Sequence, residues 1–141
     1  MLPTGAPSLD NELEVICASA DEWRRLRLSD MLEKAGYHVR TCATARELLH
    51  LAARRRYPPG GESRVLLLDV GLSHEVSSSK LVVALRRSRS AVRTVVLADH
   101  DCETEIIECL RLGADDFVHW PADPSELVEI VGRVIALPGI R

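Results

Sequence analysis

An α/β fold, with an open five-stranded parallel sheet covered by helices on both faces, is what this sequence predicts, and three observations predict it. Short apolar runs alternate five times with segments of helical period. One of those runs, "VLLLDV" (65–70), is continuously apolar up to its acid, as a strand buried on both faces is. The 141 residues, 46% hydrophobic and 28% charged, suit one domain with a single sizeable core. Right-handed crossovers would join the strands.

Residues 1–12, "MLPTGAPSLDNE", lack periodicity and are expected to form a flexible leader, with structure beginning near Leu13. "LEVICA" (13–18) is too short an apolar run for a helix and reads as the first strand. In "DEWRRLRLSDMLEKAGY" (21–37), Trp23, Leu28, Met31, Leu32 and Ala35 recur at helical spacing, acids open the segment and Gly36 stops it. "YHVRTCA" alternates as a second strand. Thr44 then caps "TARELLHLAARRR", with Glu47 three residues on as a capping box. Two prolines and two glycines make "YPPGGESR" (57–64) a loop before the third strand. After the polar "GLSHEVSSS", "KLVVALRRSRS" reads as a third helix and "VRTVVLA" (92–98) as a fourth strand. "CETEIIECLRLGA" is a fourth helix ending at Gly113, "DDFVHW" a fifth strand, and "DPSELVEIVGRVIAL" a fifth helix with Asp123 or Ser125 as cap and Pro124 in its first turn. "LPGIR" reads as the start of a linker or tail, from 138 onward.

A net charge of −3 gives no overall pull toward nucleic acid, and no direct nucleic-acid binding is expected. No apolar run reaches the roughly 18 residues of a membrane span, so a cytoplasmic protein with no membrane partner is expected. Cys17, Cys42, Cys102 and Cys109 show no paired spacing; Cys17 and Cys42 read as small apolar strand residues. The acids, His and Cys of "DHDCETE" (99–105) read as a helix N-terminus, and the Arg clusters at 53–56 and 86–90 as helix ends.

In parallel sheets of this kind, chemistry collects beyond the C-terminal ends of the strands. The residues there are Ser19, Ala20 and Asp21 after the first strand, Asp69 after the third, Ala98 and Asp99 after the fourth, and Trp120 and Pro121 after the fifth.

"VLLLDV" ending on Asp69, "EKAGYHV" (33–39) and "LGADDFVHWPADPSELVEIV" (112–131) resemble the receiver domain of bacterial response regulators. The resemblance spans residues 13–137 and implies a doubly wound, flavodoxin-like (βα)5 fold with strand order 2-1-3-4-5. It also implies phosphoryl transfer from a histidine kinase to the aspartate ending the third strand. That chemistry uses an acidic pair for Mg²⁺, a Thr or Ser, a Lys before a cis-proline and an aromatic switch.

Asp69 matches the phosphoacceptor. The acidic pair falls on Ser19 and Ala20, with Asp21 one residue on; the hydroxyl position falls on Ala98, and the Lys position on Trp120, before a Pro121 expected to be cis. The aromatic switch falls on Val118 or His119. The resemblance therefore implies a degenerate pocket in which the Trp120 indole fills the space of cation and phosphate. No turnover and no cofactor are expected; Mg²⁺ enters only if the pocket is functional, with Asp21 and Asp69 as its ligands.

In the last helix, apolar residues cover about half the circumference at about 100° per residue, and Leu127, Ile130, Val131 and Val134 are candidates for an interface. The expected function is a phosphorylation-independent interaction module of a signalling or transcriptional regulator. A homodimer through the last helix, an output domain or a histidine kinase would be its partner. Two alternatives remain open: a working receiver phosphorylated on Asp69 by a histidine kinase, and a small-molecule-binding domain using the Trp120 pocket.

Overall fold

The computed structural model describes residues 13–54, 63–88 and 92–138. The leader over 1–12, most of the 57–64 loop and the tail beyond Pro138 lie outside these residues. Five strands, β1 (Leu13–Ala18), β2 (His38–Cys42), β3 (Ser63–Asp69), β4 (Val92–Ala98) and β5 (Asp116–His119), alternate with five helices. The helices are α1 (Glu22–Lys34), α2 (Ala45–Ala53), α3 (Ser78–Arg87), α4 (Glu103–Arg111) and α5 (Pro124–Ile135). All strand pairs are parallel, in the order β2-β1-β3-β4-β5, so the expected doubly wound topology is the observed one.

Alternation along the central strands splits the interior in two, because successive side chains point to opposite faces. Val15, Cys17, Val65, Leu67, Val95, Leu97 and Val118 face α1 and α5. Ile16, Ala18, Leu66, Leu68, Val96 and Ala98 face the helices α2, α3 and α4. Each face is thereby sealed from water, which is why these strands read as nearly unbroken apolar runs.

Leu127, Ile130, Val131 and Val134 all belong to the first of these cores, at 8% exposure or less. The expectation that they form an interface is therefore corrected. One sheet face alone would need a narrower stripe, but α5 also packs against α1, and that second neighbour consumes the extra apolar arc. A dimer through α5 loses the residues that suggested it.

Trp23 is also corrected: it is 67% exposed, not on the inward face of α1. Leu28 is five residues further on, about 140° around the helix, whereas Leu28, Met31 and Leu32 share the buried stripe. The caps follow local chemistry. Glu47 N–H donates to Thr44 Oγ1 at 3.1 Å, while the Glu47 carboxylate accepts from Ala43 N–H at 2.8 Å, one residue before the usual capping-box target. Helix α3 starts two residues earlier than its apolar pattern suggests, because Ser77 caps it by accepting from Lys80 N–H. Gly113 ends α4 at φ +124°, a conformation that favours glycine.

Candidate functional site

The C-terminal ends of β1, β3, β4 and β5 bring four chain segments to one edge of the sheet. Asp69 closes β3 and is 5% exposed. Its Oδ2 accepts a hydrogen bond from Ser19 Oγ at 2.7 Å, and its Oδ1 accepts from Gly71 N–H at 3.1 Å. Ser19, fully buried just beyond β1, in turn accepts from Asp21 N–H at 3.2 Å. A hydroxyl thus stands beside Asp69 where the family resemblance led one to look for a carboxylate.

The decisive group is one that the sequence reading missed. Arg24 Nη1 donates to Asp69 Oδ2 at 3.0 Å, and Arg24 Nη2 donates to Asp99 Oδ1 at 3.3 Å. The guanidinium carbon also lies 5.4 Å from the centre of the Trp120 ring. One planar cation therefore joins the ends of β3, β4 and β5. It was legible in principle: Arg24 stands four residues before Leu28, so the buried stripe of α1, extended one turn toward the N-terminus, lands on it.

The remaining expected residues take other roles. Asp21 caps α1 by accepting from Arg24 N–H at 3.2 Å, and its side chain is exposed. Ala20 is exposed and contributes no polar side chain. Ala98 is buried in the second core, and its carbonyl accepts from Trp120 N–H at 2.9 Å. The Trp120–Pro121 peptide is cis. Trp120 packs against the first core as a wall, so the cation space assigned to the indole is held by Arg24, whose guanidinium carbon lies over the ring. Val118 faces that same core at 1% exposure, whereas Phe117 packs on the opposite face. His119 meets the Phe117 ring edge-on, stacks on His100 with centroids 4.5 Å apart and lies 3.3 Å from the Glu103 carboxylate.

The thiols are not poised for reactivity. Burial pushes Cys17 and Cys109 up from their ordinary range and Cys42 up to about 11. Cys102 is raised as well, first by desolvation and then by Asp101 and Glu105.

With this geometry in place, comparison with known proteins gives a family. The response regulator receiver domain profile matches residues 15–132. The chain belongs to the response regulator receiver domain family.

Among curated relatives, the DNA-binding transcriptional regulator NtrC of Rhizobium meliloti is 27% identical over 127 residues, covering 90% of this chain and 25% of that protein. The response regulator SaeR of Staphylococcus aureus is 29% identical over 103 residues, covering 73% of this chain and 42% of SaeR. This receiver spans less than half the length of either. The receiver domain of NtrX from Brucella abortus superposes with a TM-score of 0.77 at 19% identity, over 88% of this chain and 99% of that one. The receiver domain of the sensor histidine kinase PA1611 from Pseudomonas aeruginosa, with magnesium coordinated in its active site cleft, gives 0.74 at 21% identity, over 88% and 98% of the two chains. Such identities speak for the fold.

A magnesium ion does not suit the residues of this receiver. A hard divalent cation takes clustered oxygen ligands, preferably several carboxylates. Here Asp69 Oδ2 is shared by Ser19 and Arg24, Asp21 is engaged at the helix cap, and a guanidinium stands between Asp69 and Asp99. Among the described residues, no three His, Cys, Asp or Glu side chains form a group able to hold a metal. No helix there is long and apolar enough to cross a membrane.

Proposed function

We propose that this receiver is a phosphorylation-independent interaction module of a two-component-type signalling or transcriptional regulator. The observation that carries the reading is the occupation of Asp69: three donors, Ser19, Gly71 and Arg24, already bind its two oxygens. An attacking carboxylate oxygen needs a free lone pair directed at the phosphorus and a cation to neutralise the transferring oxygens. Asp69 Oδ2 is tied by Ser19 and Arg24, and the Lys position is the neutral Trp120. Signal would then pass by binding of an output domain or partner protein to a surface whose shape the ion pairs hold.

The test is incubation with acetyl phosphate and Mg²⁺ followed by intact mass measurement. The expected result is an unmodified mass. A species heavier by the mass of one phosphoryl group (about 80 Da), mapped to Asp69, would overturn the reading in favour of a working phosphoacceptor served by a histidine kinase.

A further inference from the structure

We infer that Arg24 is the resident cation of this pocket, and that its guanidinium keeps a latent divalent-cation site closed. The inference deepens the proposed function and rests on the same site. Three observations meet in one side chain. Arg24 bridges Asp69 and Asp99 through its two terminal nitrogens, at 3.0 and 3.3 Å. The arginine side chain is 16% exposed and that of Asp69 7%, so this arm of the bridge is shielded from competing ions in bulk water, whereas the Asp99 side chain, at 57%, is open to them. The guanidinium carbon lies over the Trp120 ring, 5.4 Å from its centre, while its two terminal nitrogens reach the two carboxylates.

Two carboxylates, Asp69 and Asp99, with the Ser19 hydroxyl beside the first, are hard oxygen donors on neighbouring strand ends. A divalent cation drawn to them would meet the positive charge of Arg24 at contact range, with little solvent screening on the Asp69 side. Metal and guanidinium therefore compete for the same oxygens. The chain wins that competition because its cation is covalently attached to α1 and is present at high effective concentration. Removing the side chain leaves two negative charges side by side and an opening in front of Trp120.

Mn²⁺ titrations followed by paramagnetic broadening of amide NMR signals test this. Gly71 N–H, 3.1 Å from Asp69 Oδ1, is the reporter. Wild type is expected to show no selective broadening at Gly71, and Arg24→Ala to show it with affinity roughly tenfold or more above wild type. Arg24→Lys, which keeps the charge, should behave as wild type, and Arg24→Ala with Asp69→Asn should lose the gain. Equal broadening in wild type and Arg24→Ala, or none in either, would overturn the inference. The outcome is separable from that of the phosphorylation assay: a wild type that refuses Mn²⁺ yet gains a phosphoryl group sinks the proposed function alone. One that binds Mn²⁺ at Gly71 without being phosphorylated sinks only the resident-cation inference.

Discussion

Replacing Arg24 and Asp69 singly and together measures how strongly the pocket is held by its ion pair. The partners are 3.0 Å apart and mostly buried. Unit charges about 4 Å apart at an effective dielectric of about 20 attract by about 4 kcal/mol, an upper bound that desolvation reduces. Arg24→Ala leaves Asp69 with the Ser19 and Gly71 donors only, at an expected cost of about 2–3 kcal/mol. Asp69→Ala costs less, about 1–2 kcal/mol, because Arg24 keeps Asp99 and the Trp120 face. The double variant should be more stable than the sum of these losses predicts, by about 1–2 kcal/mol. Urea unfolding with an unchanged m-value is the assay, each kcal/mol corresponding to roughly 4 °C in a thermal melt. Additivity within about 0.5 kcal/mol would refute the reasoning, since the pair would then be a neighbourly arrangement without coupling.

Ile130→Glu and Val134→Glu, both interior changes, should each destabilise the fold by about 3 kcal/mol or more, seen in circular dichroism melts; a native protein with an unshifted melt would place these residues at the surface after all. Thr44→Ala should cost about 1 kcal/mol through the lost α2 cap, and an unchanged urea midpoint would count against that cap. Cys42 supplies a pH effect. Burial raises its thiol from an ordinary 9.0 to about 11, so the folded chain holds the proton after the unfolded chain has released it. Its contribution is complete below pH 9 and is lost as the pH climbs toward 11; Cys42→Ala should flatten that decline, and an identical slope in both proteins would contradict the assignment.

Most of the architecture was legible because it depends on patterns with a fixed period. β1 and β4 match their apolar runs to the residue, α2 starts at Ala45 behind its Thr44 cap, and α5 starts at Pro124, whose ring suits the first helical position although Asp123 makes no side-chain cap bond. What escaped was what depends on two elements at once. The apolar width of α5 gave no sign that α1 would cover part of it, so interior residues looked like an interface. Trp23 joins Leu28, Met31, Leu32 and Ala35 on helical spacing in the sequence, though its angle, about 140° from Leu28, places it on the outer side. The site was read as a set of missing parts at matched positions. That habit found Asp69, Ala98 and Trp120 but overlooked Arg24, whose position in the chain corresponds to none of them.

The clamp also has a bearing on how the chain comes together. Arg24 is 45 residues from Asp69 and 75 from Asp99, so the first bond waits for the two crossovers that bring β3 beside β1, and the second for the further crossover that adds β4. A slip of one residue between β3 and β4 would displace Asp99 by about 3.4 Å and turn neighbouring side chains to the wrong face, leaving half of the guanidinium without its acceptor. The arginine thus finds both acceptors only when β3 and β4 are in their native register.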